Sequence, residues 1–235
     1  MTKYKNITVA IILYFIFVSF VNILPRIATN PLTVADCIGF LFLNKEIFTK
    51  FRITLFNPQY MILFLIYLYI ISAKMLALVH ENTSFISMYI SKFSRRDVVK
   101  RVVLETICHY VWIYGVSLTM TILTSMLIAK TTNNLVLELL GGAVYLLRII
   151  GIVCAISIGY AVISMVQSDN KYIVIIFTAL ALALCIDITF NISTIRYTGS
   201  LYKETQWLLG EYIGIAGILY FVQRYFKTKE DLFND

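Results

Sequence analysis

Four ionisable side chains lie within apolar segments of the C-terminal half of this chain. They are Glu138, Arg148, Asp187 and Glu211. A charged group inside an apolar helix is costly to bury, so it pairs with an opposite charge or lines a water-filled path. We expect Arg148 to pair with Asp187 or with Glu211. Two interpretations stay open: an ion pair that fixes helix packing, or the polar lining of a substrate path or gate.

A second charged group lies in a basic connector, which we define as residues 80–101, between two apolar runs. Its five cations are Lys92, Arg95, Arg96, Lys100 and Arg101. An apolar stretch, residues 85–90, precedes them, and Ser94 with Asp97 forms a weak variant of the capping box. The pattern predicts a short amphipathic helix, a turn and an entry helix. A basic segment of this kind binds either anionic lipid or a cytoplasmic protein.

Motifs for catalysis or metal binding are absent from the sequence. There is no GxxxxGK[ST] phosphate loop, no HExxH and no GxSxG. The two histidines, His80 and His109, have no second ligand or base near them in sequence. The four cysteines show no paired spacing, so we interpret them as small apolar residues. They are Cys37, Cys108, Cys154 and Cys185. We therefore expect a protein that is not an enzyme, with no catalytic residue, no metal site and no cofactor bound by this chain.

The composition is that of a membrane protein. Hydrophobic residues make up 60% of the 235 residues, and charged residues only 14%, against about 25% in soluble domains. The mean hydropathy is +0.82. The net charge of +7 indicates membrane topology and contact with anionic lipid, and no nucleic acid is expected as a partner.

Six apolar segments approach the roughly 20 residues that a helix needs to cross the bilayer core. The predicted spans cover residues 7–24, 60–78, 103–129, a stretch within 135–166, 172–192 and 207–225. The first is interpreted as a retained span, because it is long for a signal peptide and Pro25 and Arg26 follow it in place of a cleavage site. The sequence thus predicts an all-α fold with a single six-helix transmembrane domain over residues 1–235.

The distribution of Lys and Arg predicts the orientation of these helices. Eleven cations fall on the side of the termini and the connector and seven on the other, leaving out Lys74 and Arg148 within spans. Both termini are therefore predicted to be cytoplasmic. The loop of residues 25–58 then faces outside, and its apolar character predicts one or two amphipathic helices in the outer interface. A further spanning segment there is the alternative, although its apolar core is short.

The connector resembles the corresponding loop in permease subunits of ABC-2-type transporters. In those proteins a Glu and small polar residues follow the second span, and a short apolar helix leads to a Ser-Arg pair and then to a Lys before the third span. This chain has residues 81–84, residues 85–90, Ser94 with Arg95, and Lys100 in that order. The chain length is similar to that of small permeases in bacterial peptide-export and bacteriocin-immunity systems.

The resemblance implies a bacterial plasma-membrane transporter with several partners. Two permeases, identical or paralogous, would join two separate ATPases that bind ATP and Mg²⁺, and would export or extract a hydrophobic or amphipathic peptide. The residues implied in coupling to the ATPases are Glu81, Phe85, Met88, Tyr89, Phe93, Arg95, Arg96 and Lys100. The loop of residues 25–58 is longer than in many family members, and we expect it to act as a lid or a membrane-lying entry.

Two other classes of protein stay open. One is a stand-alone membrane immunity protein that binds a toxin without ATP. The other is an ion-coupled carrier or substrate-binding membrane subunit, with Arg148, Asp187 and Glu211 forming its site.

Overall fold

Every element in the described part of the chain is helical, as the sequence predicts. A computed structural model describes residues 2–27, 31–42, 58–74, 77, 95–129, 134–164, 197 and 199–233. The helices are α1 (Thr2–Val18), a π-helix (Ser19–Ile23), α2 (Leu24–Ile27), α3 (Val34–Leu41), α4 (Pro58–Ile71), α5 (Arg95–Ile128), α6 (Leu135–Ser164) and α7 (Leu201–Phe233).

Three of these helices are long and apolar enough to cross a membrane. They run over Tyr4–Ile23, Lys100–Ile128 and Leu135–Ala161, and they coincide with the first, third and fourth predicted spans. Exposed leucine, isoleucine, valine and phenylalanine side chains cover their outer surfaces, which is typical of helices that contact lipid. The described part of the chain therefore has the character of a membrane protein.

The other three predicted spans differ in how far the structure describes them. The helix α4 has 14 residues and overlaps the second predicted span, residues 60–78, over residues 60–71. The fifth, residues 172–192, lies outside the described residues. The helix α7 covers all of the sixth, residues 207–225, and continues to Phe233.

The helix α5 joins the basic connector to the membrane helices without a break. It begins at Arg95, next to the predicted cap at Ser94, and has 34 residues. At a rise of 1.5 Å per residue it is about 50 Å long, against a hydrocarbon core of about 30 Å. The helix is therefore longer than the bilayer core, and some of its turns must lie outside that core.

The helix α3 packs among the protein's own helices. Thr33 caps it: the Asp36 backbone N–H donates to Thr33 Oγ1 at 3.1 Å, and the Thr33 backbone N–H donates to Asp36 Oδ2 at 3.0 Å. We expected the apolar face of this loop to lie against the outer lipid interface. In the structure the apolar residues of α3 recur at helical spacing and contact α1, α5 and α6, and four of them are at most 2% exposed: Val34, Cys37, Ile38 and Leu41.

A glycine allows this close contact between α3 and α6. A Cβ atom built on Gly142 would lie 2.7 Å from Ile38 Cδ1, closer than non-bonded carbon atoms approach. The small residue therefore lets Ile38 sit directly on the α6 backbone, as small residues do at helix interfaces in membranes.

The centre of the bundle is a cluster of aromatic rings. Neighbouring rings in it meet at centroid distances of 5.2–6.2 Å, mostly edge-on or tilted, which is the arrangement that aromatic pairs prefer. Its members come from α1, the residue after α3, α4, α6 and the residues before α7: Tyr14, Phe15, Phe42, Tyr67, Tyr145 and Tyr197. The cluster joins the N-terminal helices to the site described next.

Candidate functional site: a buried arginine between two glutamates

Arg148 lies in the middle of α6 and its side chain is 0% exposed. Its Nη1 donates to Glu204 Oε2 at 2.6 Å, and its Nε lies 3.1 Å from Glu211 Oε1. The contact with Glu204 is a hydrogen bond between ionised partners, which is short and strong, whereas the contact with Glu211 is an ion pair. One guanidinium thus holds two carboxylates that both come from α7.

The position of Glu204 follows from the turn that begins α7. Gly199 has φ +74°, a left-handed conformation that glycine adopts without steric cost. The helix starts directly after this turn, and the Glu204 N–H donates to the Ser200 carbonyl at 3.0 Å. Glu204 therefore sits in the first turn of α7, where the unpaired N–H groups of the helix favour a negative charge.

Glu211 reaches the same guanidinium because it follows Glu204 by seven residues. Seven residues are about two helical turns, so both carboxylates lie on one face of α7. The face lies against α6, since both carboxylates contact Arg148. Beside it the Tyr212 hydroxyl lies over Gly151, where a built Cβ atom would be 2.9 Å from Tyr212 Oη, so the glycine makes room for this side chain.

Aromatic side chains pack next to the guanidinium. The Arg148 Cζ atom lies 5.5 Å from the centroid of the Tyr145 ring, a cation–π distance. The Tyr145 ring in turn contacts Tyr197, edge-on, at 5.5 Å. Burial, with the nearby charge of Glu204, raises the pKa of the Tyr197 phenol well above its usual value, so this side chain stays neutral.

The two glutamates differ in their surroundings. The Glu204 side chain is 0% exposed and the Glu211 side chain 18% exposed. Glu211 Oε1 faces Arg148, but Glu211 Oε2 is buried and accepts no hydrogen bond from the described residues. The site therefore combines one positive and two negative groups, with one carboxylate oxygen left without a donor. Such an arrangement can bind a proton or a cationic group.

The structure places the predicted intramembrane residues in different roles. Arg148 contacts Glu211, one of the two partners that we expected, and Asp187 lies outside the described residues. Glu138 Oε2 accepts the Ala35 backbone N–H at 3.0 Å, so this carboxylate binds the N-terminus of α3, where helix N–H groups lack partners.

Glu204 is the site residue that sequence reasoning missed. It follows Lys203 in a stretch that we interpreted as a loop, so it was not counted among the buried charges. One signal was present: its separation of seven residues from Glu211 puts the two on one helical face. That signal required the helix to begin before residue 204.

Of the predicted coupling residues, the structure describes three. Arg95 and Arg96 form the first residues of α5, and the Lys100 side chain is exposed. Near them Arg101 Nε lies 3.5 Å from Glu105 Oε1, an exposed pair one turn apart. The other five lie outside the described residues: Glu81, Phe85, Met88, Tyr89 and Phe93.

Comparisons with known proteins identify no relative of this chain. Neither the family models, nor the curated proteins, nor the solved structures give a significant match. Within the described ranges, no group of three or more His, Cys, Asp or Glu side chains is arranged to hold a metal ion.

Proposed function

We propose that this chain is the membrane-spanning permease subunit of an ATP-driven ABC transporter. In this proposal six helices span the bacterial plasma membrane with both termini in the cytoplasm. The basic connector docks a separate ATPase, and a second permease, identical or paralogous, completes the transporter. The cargo is a hydrophobic or amphipathic peptide that is exported or extracted from the membrane.

The observation that carries the proposal is the unbroken helix α5. A single helix links Arg95 and Arg96, in the connector, to residues deep in the bundle. Because a helix of this length moves largely as one rigid body, a force applied at its first turn displaces its central turns. A docking site at the start of α5 can therefore transmit the closure of an ATPase to the membrane helices.

The central turns of α5 contact the helices that such a movement must displace. Tyr110 and Ser157 of α6 share a hydrogen bond of 2.7 Å, and Tyr67 of α4 donates to Ser117 at 3.0 Å. Tyr114 Oη also donates to the Ala143 carbonyl of α6 at 3.3 Å. These polar contacts between packed helices connect α5 to α4 and to α6 and favour a coupled movement of the bundle.

Co-purification tests the docking step. The tagged full-length chain is isolated from its native host in mild detergent, and its partners are identified by mass spectrometry. We expect an ABC ATPase to co-purify with the wild type and to be lost when Arg95 and Arg96 are both changed to Glu. Changing Lys227 and Lys229 to Glu in the C-terminal tail is the matched control, and it should retain the ATPase.

Two results would overturn the proposal. The first is a purified chain that has no ATPase partner and still protects cells against a membrane-active peptide by itself. The second is a double Arg95→Glu, Arg96→Glu variant that keeps the ATPase and loses only its binding to vesicles of anionic lipid. In the second case the five cations of the connector bind lipid.

A further inference from the structure

Among the described residues, the site around Arg148 carries one more negative charge than positive charge if both glutamates are ionised. The guanidinium stays protonated in proteins, so it neutralises one carboxylate. The second negative charge would then be held among helices where Arg148 and Glu204 are 0% exposed. Burying an uncompensated carboxylate costs several kcal/mol, and such a group takes up a proton instead.

The surroundings of the two carboxyl groups differ in how well they stabilise a negative charge. Glu204 makes the 2.6 Å hydrogen bond to Arg148 and sits in the first turn of α7, and both features stabilise its ionised form. Glu211 lies two turns further along, where no helix end assists it. One of its oxygens faces Arg148 Nε, and the other, Oε2, is buried without a hydrogen-bond donor among the described residues.

We propose that Glu211 is a proton-binding residue whose Oε2 takes up a proton from water and returns it, while Arg148 and Glu204 remain an ion pair. The step forms and breaks one O–H bond and needs no other reactant. With the proton bound, the site is neutral, and with the proton released, it carries one negative charge. The Glu211 side chain as a whole is 18% exposed while Oε2 itself is buried, so proton exchange requires the carboxyl group to turn toward its exposed side.

The neighbours of Glu211 agree with this assignment. In the described part of the chain α6 packs against α7, and it presents the positive charge of Arg148, with Tyr145 next to it. On α7 itself Glu204 adds a negative charge that favours the protonated form of Glu211, and Tyr212 lies next in sequence with its hydroxyl against Gly151. The inference stands on the buried Glu211 Oε2 without a donor among the described residues, and it holds whether or not transport is driven by ATP.

Infrared difference spectroscopy tests the inference directly. Full-length protein in lipid nanodiscs is stepped across neutral pH, and the C=O stretching band of protonated carboxyl groups is recorded. We expect one carboxyl per chain to titrate, and the band to disappear in Glu211→Gln. Glu138→Gln and Asp187→Asn are matched controls that remove a different carboxylate, and both should retain the band.

The Glu204→Gln variant gives a second, independent readout. Because it removes the excess negative charge, Arg148 can pair with Glu211 alone, and the titration should move to lower pH without disappearing. If Glu211→Gln does not fold, Glu211→Asp replaces it and should shift the frequency of the titrating band. The inference is wrong if no carboxyl titrates in the wild type, or if the titrating band survives in Glu211→Gln.

Discussion

Replacing Arg148 by methionine leaves two glutamates buried without their counter-charge. Methionine is close to arginine in length and is apolar, so it keeps most of the packing and removes the charge and the donors. The wild-type guanidinium holds Glu204 at 2.6 Å and Glu211 at 3.1 Å. The change therefore tests how much the folded protein depends on this ion pair, separately from the volume of the side chain.

The expected loss of stability is large. Removing one partner from a buried ion pair costs about 3–5 kcal/mol, because the other charge remains desolvated. For a chain of this size each kcal/mol lowers Tm by about 2–4 °C, so we expect Arg148→Met to lower Tm by about 6–20 °C. The assay is thermal unfolding of the purified protein in detergent, followed by intrinsic tryptophan fluorescence.

Two further variants make the result specific to the buried charges. Arg101→Met removes an arginine whose pair with Glu105 is exposed, at 64% and 44%, and surface pairs contribute only about 0–1 kcal/mol. The triple change Arg148→Met, Glu204→Gln, Glu211→Gln removes every charge of the site and should recover much of the lost Tm. If Arg148→Met melts at the wild-type temperature, or if the triple variant is no more stable than Arg148→Met alone, the reasoning is refuted.

Two other predictions concern the packing of α3 and the contact between α5 and α6. Burial raises the pKa of the Cys37 thiol to about 12, so in a variant with Cys37 as its sole cysteine we expect very slow maleimide labelling at neutral pH. Gly142→Val should displace α3 and accelerate that labelling, whereas Gly159→Val, where no described atom lies within 4 Å of a built Cβ, should leave it slow. Equal labelling in the two variants would show that α3 does not depend on the close contact. Tyr110→Phe and Ser157→Ala each remove one partner of the 2.7 Å hydrogen bond, and a double-mutant cycle of Tm should give a coupling of about 0.6 kcal/mol. A coupling of zero would mean that the bond does not stabilise the bundle.

For the candidate spans that the structure describes, the sequence predicted their positions well. The three long apolar helices appear at the predicted places, and α5 begins beside the predicted cap at Ser94. These features depend on residues that are contiguous in the chain, such as the length of an apolar run or a capping residue before it. Their prediction needs no knowledge of how the helices pack.

The packing partner of α3 could not be predicted from contiguous residues. An amphipathic helix over residues 34–41 is consistent with the apolar pattern, but the pattern does not say whether lipid or protein covers its apolar face. The structure shows that protein covers it, because Gly142 lets Ile38 contact the α6 backbone and because Glu138 accepts the N–H of Ala35. Both partners lie about a hundred residues away in sequence.

The sequence by itself determined that this chain is helical, apolar and rich in costly buried charges, and it identified Arg148 and Glu211 as two of them. Only the tertiary structure decided that Glu204 belongs to the site, and that one oxygen of Glu211 has no donor among the described residues. The reason is physical. Apolar length and charge are properties of each segment, whereas the contact of Arg148 with a residue 56 positions away depends on how α6 and α7 are rotated and how closely they pack.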